Sequence, residues 1–154
     1  MRADTIVALS TPPGASRLAV VRASGPGSLA LADRRLVPDD AGAPGTTPGF
    51  AYRSGRVRAG DLLVPAALYV MRAPRSYTRE DVVEFHFPGA VPLVRLVLEG
   101  ALASGARSAR PGEFTRRAFR SGRIDLAQAE AIASLVRAGD ESARRRSAAA
   151  LAGG

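Results

Sequence analysis

Cysteine is absent from this 154-residue chain, which rules out disulfides and thiolate metal sites within it. The one histidine, His86, cannot build a histidine zinc centre, so no metal is expected. No run of about eighteen apolar residues occurs, which leaves no candidate for a membrane-spanning helix. The start, MRADTIVAL, lacks the long apolar core of a signal peptide, and a cytoplasmic protein with no membrane partner is the default expectation. Lysine is missing as well, because all 22 basic residues are arginine. A chain without lysine contains no G-x-x-x-x-G-K-[ST] phosphate loop, so P-loop hydrolysis of GTP is not expected of these residues.

The formal net charge is +8, which invites a nucleic-acid reading. The way it arises argues for caution. Asparagine is absent along with lysine while Ala, Gly, Arg and Pro abound, a pattern that follows from a GC-rich genome more simply than from selection for phosphate binding. Weak, non-specific attraction of RNA to a basic surface stays open as an alternative. The length suffices for one domain with a real core and a helical appendage.

Taken in order, Thr5 to Thr11 is a short apolar run ending at the Pro12-Pro13-Gly14 turn, and Arg17 to Ala23 follows with Val20 and Val21; both read as strands. Gly25-Pro26-Gly27-Ser28-Leu29-Ala30 superficially matches the dinucleotide fingerprint G-x-G-x-x-A, but no acidic ribose partner or clear βαβ unit follows, and an ordinary helix to about Leu36 is expected. Residues 37–48 are rich in Pro, Gly, Asp and Thr and read as an exposed loop. Phe50 to Val57 and Leu62 to Met71 are strand candidates joined through Arg58 to Asp61. After a polar loop from Arg72 to Arg79, Asp81 to Phe87 alternates Val83, Phe85 and Phe87 against Val82, Glu84 and His86, which puts Glu84 and His86 on one face of a strand. Pro92 opens a helix with a stripe of Leu93, Leu96, Val97, Gly100 and Ala101, reaching about Ser104.

The densest local code lies in RPGEFTRRAFRSGRIDLAQAEAI, from Arg110 to Ile132. Pro111-Gly112 is a turn, Glu113 suits the first turn of a helix, and Phe114 and Ala118 share a helix face with Phe119 beside them. Gly122 fits a left-handed stop, and Asp125 with Gln128 resembles a capping box that starts a helix at Leu126. On that helix Leu126, Ala129, Ala133 and Val136 recur as an expected buried face. Gly139 then ends it, and Asp140 starts another helix bearing Arg144, Arg145 and Arg146 as a solvated face. The whole reads as an α+β domain to roughly residue 120, a mixed sheet of about five strands with packed helices, followed by a short helical extension over residues 121–154.

As a string the Arg110–Ile132 block closely resembles the tRNA modification GTPase family MnmE/TrmE. Two further segments resemble that family in the right order: Asp4 to Ala8 with Thr11 to Gly14, and Ser76-Tyr77-Thr78 with Glu80 to Glu84. The resemblance covers the family's N-terminal domain and the first helices of its helical domain, so the chain is expected to stop before the GTPase domain. It implies a domain that binds 5-formyl-tetrahydrofolate, or a related tetrahydrofolate, and makes a homodimer serving modification of the tRNA wobble uridine. Three positions match the family's folate-contacting residues: Arg22, Glu84 and Arg123. The chemistry suits them. A pterin offers an amino group and a ring N–H side by side, which one carboxylate accepts as a bidentate pair, and arginines supply donors to the anionic tail and the pterin carbonyl. No catalytic residue is implied. Implied partners are a second copy, a separate GTPase and helical-domain partner, a flavin-dependent modification partner and, indirectly, tRNA.

The chain departs from the family at Arg79, where the family carries glycine, and across His86-Phe87-Pro88-Gly89-Ala90, where a His-x-His-Gly-Gly run is usual. Glycines permit positive φ or close ligand approach, and Pro88 fixes what they leave free, so a loop closing over the folate is expected to be reshaped. The alternative from a different class is therefore a degenerate interaction and dimerisation module that keeps the fold and has lost the ligand.

Overall fold

The computed structural model describes residues 4–137. The chain forms two compact units, one reaching Ala109 and one starting at Arg110. The helix stop expected at Gly139 and the helix expected from Asp140 with Arg144–Arg146 lie outside the described residues.

The first unit is α+β. Its strands are β1 (Ile6–Leu9), β2 (Ser16–Ser24), β3 (Leu36–Pro38), β4 (Ala51–Ala59), β5 (Leu62–Met71), β6 (Val82–Gly89) and β7 (Arg107–Ser108), with helices α1 (Ser28–Arg35) and α2 (Val91–Ala103). They build one seven-stranded sheet in the order β3-β4-β5-β6-β2-β1-β7. The pairing of β1 with β7 is parallel and the others are antiparallel, so the sheet is mixed. The expected count of about five omits β3 and β7, which at three and two residues are too short to show a period.

Alternation along each strand fixes which face is buried. Val21 and Ala23 of β2, Val57 and Ala59 of β4, Leu68 and Val70 of β5, and Val83, Phe85 and Phe87 of β6 point inward. Leu31 and Ala32 of α1 and Val94, Val97 and Ala101 of α2 complete that core. The stripe expected on α2 is centred one residue off, because Val94 is among its most buried residues while Leu93 and Leu96 are only partly covered.

Four connections differ from, or sharpen, the sequence reading. Strand β4 runs to Ala59, so the β4–β5 hairpin closes through Gly60-Asp61 alone, with Gly60 at φ 60°. Gly25, at φ 128°, passes so close to the start of β1 that a Cβ there would lie 2.5 Å from the Asp4 carbonyl. The Gly27 N–H donates to Thr5 Oγ1 at 2.7 Å. The G-x-G-x-x-A spacing thus falls at a close crossing with the start of β1 and at the N-cap of α1. The loop after β3 is pinned by two arginines: Arg53 donates to Asp40 Oδ1 and the Gly42 carbonyl, each at 2.6 Å, and Arg72 to the Gly45 carbonyl at 2.6 Å. Finally, β6 continues through Pro88 to Gly89, and Ala90 alone links it to α2. The strand expected to end at Phe87 thus runs two residues further, through Pro88 and Gly89. Proline is tolerated there because pairing with β5 has already ended at Ala67–His86 and the β2 register shifts between Ser16 and Ala19.

The second unit holds α3 (Glu113–Arg120) and α4 (Leu126–Arg137). Gly112 at φ 72° turns the chain into α3, and the Glu113 carboxylate, only 2% exposed, folds back to accept the Arg110 N–H at 2.8 Å. A Schellman stop ends α3: Gly122 sits at φ 71°, its N–H donating to the Phe119 carbonyl at 3.0 Å and the Arg123 N–H to the Ala118 carbonyl at 2.9 Å. The capping box is complete, with Gln128 N–H on Asp125 Oδ1 at 2.7 Å and Asp125 N–H on Gln128 Oε1 at 3.1 Å. The expected buried face of α4 needs correction. Leu126 is 58% and Val136 82% exposed, and Ala133 is exposed too, whereas Ala131 is buried. Helical spacing identifies an apolar stripe and not what covers it; here Ala129, Ala133 and Val136 line an open groove with the exposed Phe119.

Candidate ligand-binding site on the outer sheet face

The face of the sheet away from the core is where the sequence-predicted residues Arg22 and Glu84 meet. They are direct register partners on β2 and β6, and both fall on the strand positions that alternate with buried ones. Arg22 Nε donates to Glu84 Oε1 at 2.7 Å. His86, two residues along the same strand and so on the same face, lies with Nε2 2.9 Å from Glu84 Oε2. An ionised carboxylate only accepts, which makes Nε2 the protonated nitrogen of the His86 ring. The carboxylate is thus held at both oxygens, by a cation from the neighbouring strand and by an imidazole from its own.

The Glu84 side chain is 15% exposed. Burial pushes its carboxyl up, but the His86 hydrogen bond and the Arg22 guanidinium outweigh that and hold it below the ordinary carboxylate range. It therefore stays anionic, and each oxygen keeps lone-pair capacity beyond the bond already made.

Aromatic rings wall the other side. Tyr69 of β5 is the register partner of Glu84, and its ring sits 4.7 Å from the His86 ring, tilted by 56°. Tyr52 of β4, paired with Tyr69, meets it edge-on at 5.4 Å and 64°. These groups, with Phe50 and Met71, line a groove of about 280 Å³ together with Glu84 and His86. Phe50 stands on its rim, 74% exposed and held at φ 57°, a conformation that costs a non-glycine residue on the order of 1 kcal/mol. A planar ring carrying adjacent N–H donors is the kind of molecule such a groove accepts: apolar faces on the aromatics, donors on the carboxylate.

Arg123, the third predicted contact, belongs to the second unit. It is exposed in the α3–α4 connection, its backbone set by the Schellman stop. The structure brings Arg22 and Glu84 together within the first unit, and Arg123 belongs to the second. Sequence reasoning did not single out Tyr52, Tyr69 or Phe50, and it gave His86 only a place on the strand face of Glu84. The available signal was alternation: Leu63, Pro65, Ala67 and Tyr69 fall on one face of β5, which the antiparallel pairing makes the face of Glu84.

Among the described residues Arg79 is the second non-glycine residue at positive φ, at 59°. The backbone there keeps the conformation that glycine adopts freely, although the side chain is arginine. The loop around it is tied to β2: Ser24 Oγ donates to Glu80 Oε2 at 2.6 Å and shares a hydrogen bond of 2.7 Å with Thr78 Oγ1. Among the described residues no group of His, Asp and Glu has the makings of a metal site, and no helix is long and apolar enough to cross a membrane.

Comparison with known proteins agrees with the resemblance. The family model for the GTP-binding protein TrmE N-terminus matches residues 5–123. The tRNA modification GTPase MnmE of a Thermus thermophilus strain is 45% identical over 153 residues, covering 97% of this chain and 35% of the relative. That of Chloroflexus aurantiacus is 48% identical over 142 residues, covering 88% and 30%. That of Listeria innocua is 45% identical over 139 residues, covering 90% and 30%. The chain spans about a third of the length of the curated relatives it matches.

Proposed function

We propose, from the premise that the chain belongs to the family of TrmE N-terminal domains, that it binds a reduced folate, 5-formyl-tetrahydrofolate or a close relative, on the outer sheet face. The observation that carries this reading is the Arg22–Glu84 pair, joined at 2.7 Å, with Glu84 lining an aromatic groove. Glu84 reads the amino group and ring N–H of the pterin through the lone pairs that Arg22 and His86 leave available. Arg22 holds the carboxylate and offers donors to the pterin carbonyl, while Arg123 serves the anionic tail. These roles are carried by resemblance, residue by residue, and the arrangement around Glu84 is compatible with them.

The domain would act as a homodimer in modification of the tRNA wobble uridine, alongside a GTPase with its helical domain and a flavin-dependent partner, with tRNA met indirectly. Cytoplasmic residence goes with that role. GTP hydrolysis is not proposed for these 154 residues, which contain no lysine and so no P-loop.

Calorimetric titration of the purified chain with 5-formyl-tetrahydrofolate, with Glu84→Ala as the paired control, tests the reading. Micromolar binding abolished by Glu84→Ala is expected, together with a folate-dependent rise in melting temperature. A strictly monomeric protein whose melting temperature ignores folate overturns it. A dimer without folate binding would instead favour the degenerate dimerisation module, and tRNA binding that falls steeply with salt would favour a basic RNA-binding module.

A further inference from the structure

We infer that His86 is a positioning residue for Glu84, fixing the plane in which the carboxylate meets its ligand; this deepens the folate reading and rests on it. A carboxylate held at one oxygen by Arg22 alone can still rotate about its terminal bond, a broad and soft torsion. Two donors on different oxygens remove that freedom. Arg22 takes Oε1 from β2 and His86 takes Oε2 from β6, at 2.7 and 2.9 Å. The ring of His86 is itself immobilised. Tyr69 of β5 packs beside it, centroids 4.7 Å apart and planes tilted by 56°, and the strand neighbours of His86 are the small or apolar Ala67 and Val20, which offer its nitrogens no competing charge. The groups facing Glu84 are therefore Arg22 from β2, His86 from its own strand and Tyr69 from β5, with Tyr52 of β4 behind Tyr69.

A ligand presenting two parallel N–H donors needs both carboxylate oxygens in a set orientation, and a pre-ordered acceptor avoids the entropy cost of freezing it on binding. His86 supplies that order from the wall of the same groove, its ring packed beside Tyr69.

The test compares wild type, Glu84→Ala, His86→Phe and His86→Gln by calorimetric titration with 5-formyl-tetrahydrofolate, repeated across pH, with melting temperatures for all four. Phenylalanine keeps the contact with Tyr69 and removes the donor. Glutamine places an amide donor near the Nε2 position. The expected result is an affinity loss of about tenfold in His86→Phe at unchanged or higher melting temperature, and recovery to within about threefold of wild type in His86→Gln. The acid limb of the binding profile should also move to higher pH in His86→Phe, because the imidazole is a principal stabiliser of the Glu84 anion.

Wild-type affinity and an unmoved acid limb in His86→Phe, with Glu84→Ala still inactive, overturn the role of His86 and leave the folate reading standing. Equal losses in both His86 variants accompanied by lower melting temperatures assign His86 to packing and also overturn the inference. No binding by wild type removes the folate reading and this inference together.

Discussion

Strand β6 carries two different kinds of design on its two faces. Val83, Phe85 and Phe87 on the inner face are at most 1% exposed and belong to the apolar core shared with neighbouring strands and the two helices. Glu84 and His86, interleaved with them, face a surface of tyrosines and one arginine and are bonded to each other. The inner face is held by area: burying an apolar side chain is worth roughly 25 cal/mol per Å² removed from water, and no single angle matters much. The outer face is held by direction, since each hydrogen bond contributes only about 1 kcal/mol net and does so at one geometry. Substitutions on the first face should therefore read out as stability, and those on the second as binding and pH response.

The most severe break comes from Phe85→Ala. It removes a fully buried ring between β2 and β5 and should destabilise the first unit by about 3–5 kcal/mol, seen as a large fall in melting temperature that does not vary with pH between 4 and 8. A milder effect is expected of Arg22→Leu on the opposite face. It leaves Glu84 partly desolvated with His86 as its remaining partner at this end, costing about 1–2 kcal/mol, and it should lower folate affinity by more than its effect on stability predicts. Denaturant melts of both variants, set beside their folate titrations, separate the two faces; equal ratios of stability loss to binding loss would erase the distinction.

Acid sharpens the same contrast. The Glu84 carboxyl has its folded value lowered below the ordinary 4.5, so the unfolded chain takes up a proton there before the folded chain does. Its contribution to stability is fully present above the unfolded value and is lost as pH falls through the folded one. The stability gap between wild type and Glu84→Gln should thus be widest above 4.5 and close below it, while the deficit of Phe85→Ala persists. A gap that widens on acidification would contradict the lowered value.

How legible each face was in the sequence follows from the same difference. Alternation from Val82 to Phe87 is a local signal, and it assigned Glu84 and His86 to one face and the phenylalanines to the other. His86 apart, the partners of Glu84 come from elsewhere: Arg22 lies 62 residues upstream, and Tyr69 on β5 faces it only through the β5–β6 register. Nothing near Glu84 in the chain encodes those pairings, and Arg22 was found through family resemblance alone. The caps of the second unit were fully legible because Gly122, Asp125 and Gln128 act within a few residues of themselves. The burial of α4 was not, because a stripe such as Leu126, Ala129, Ala133 and Val136 specifies a wish for cover and not its presence. The strands β3 and β7 escaped for a third reason, being shorter than any period that could reveal them.

The smallest expected effect concerns Phe50, where the outer face departs furthest from what its sequence suggests. A bulky aromatic is among the poorest residues for φ 57°, and nothing in the surrounding Pro-Gly-Phe-Ala announces that conformation. With 74% of its surface exposed, Phe50 recovers little by burial, so the strain is not repaid in packing. Phe50→Gly relieves it at the cost of extra freedom in the unfolded chain, and the net should be a gain of about 0.5 kcal/mol, near the limit of a careful denaturant melt. The same change strips an aromatic wall from the groove beside Glu84 and should weaken folate binding by about threefold. Stability and affinity would then move in opposite directions at one residue, which no substitution on the inner face can do. If both fall together, Phe50 is packing the sheet after all, and the outer face obeys the same rule as the core.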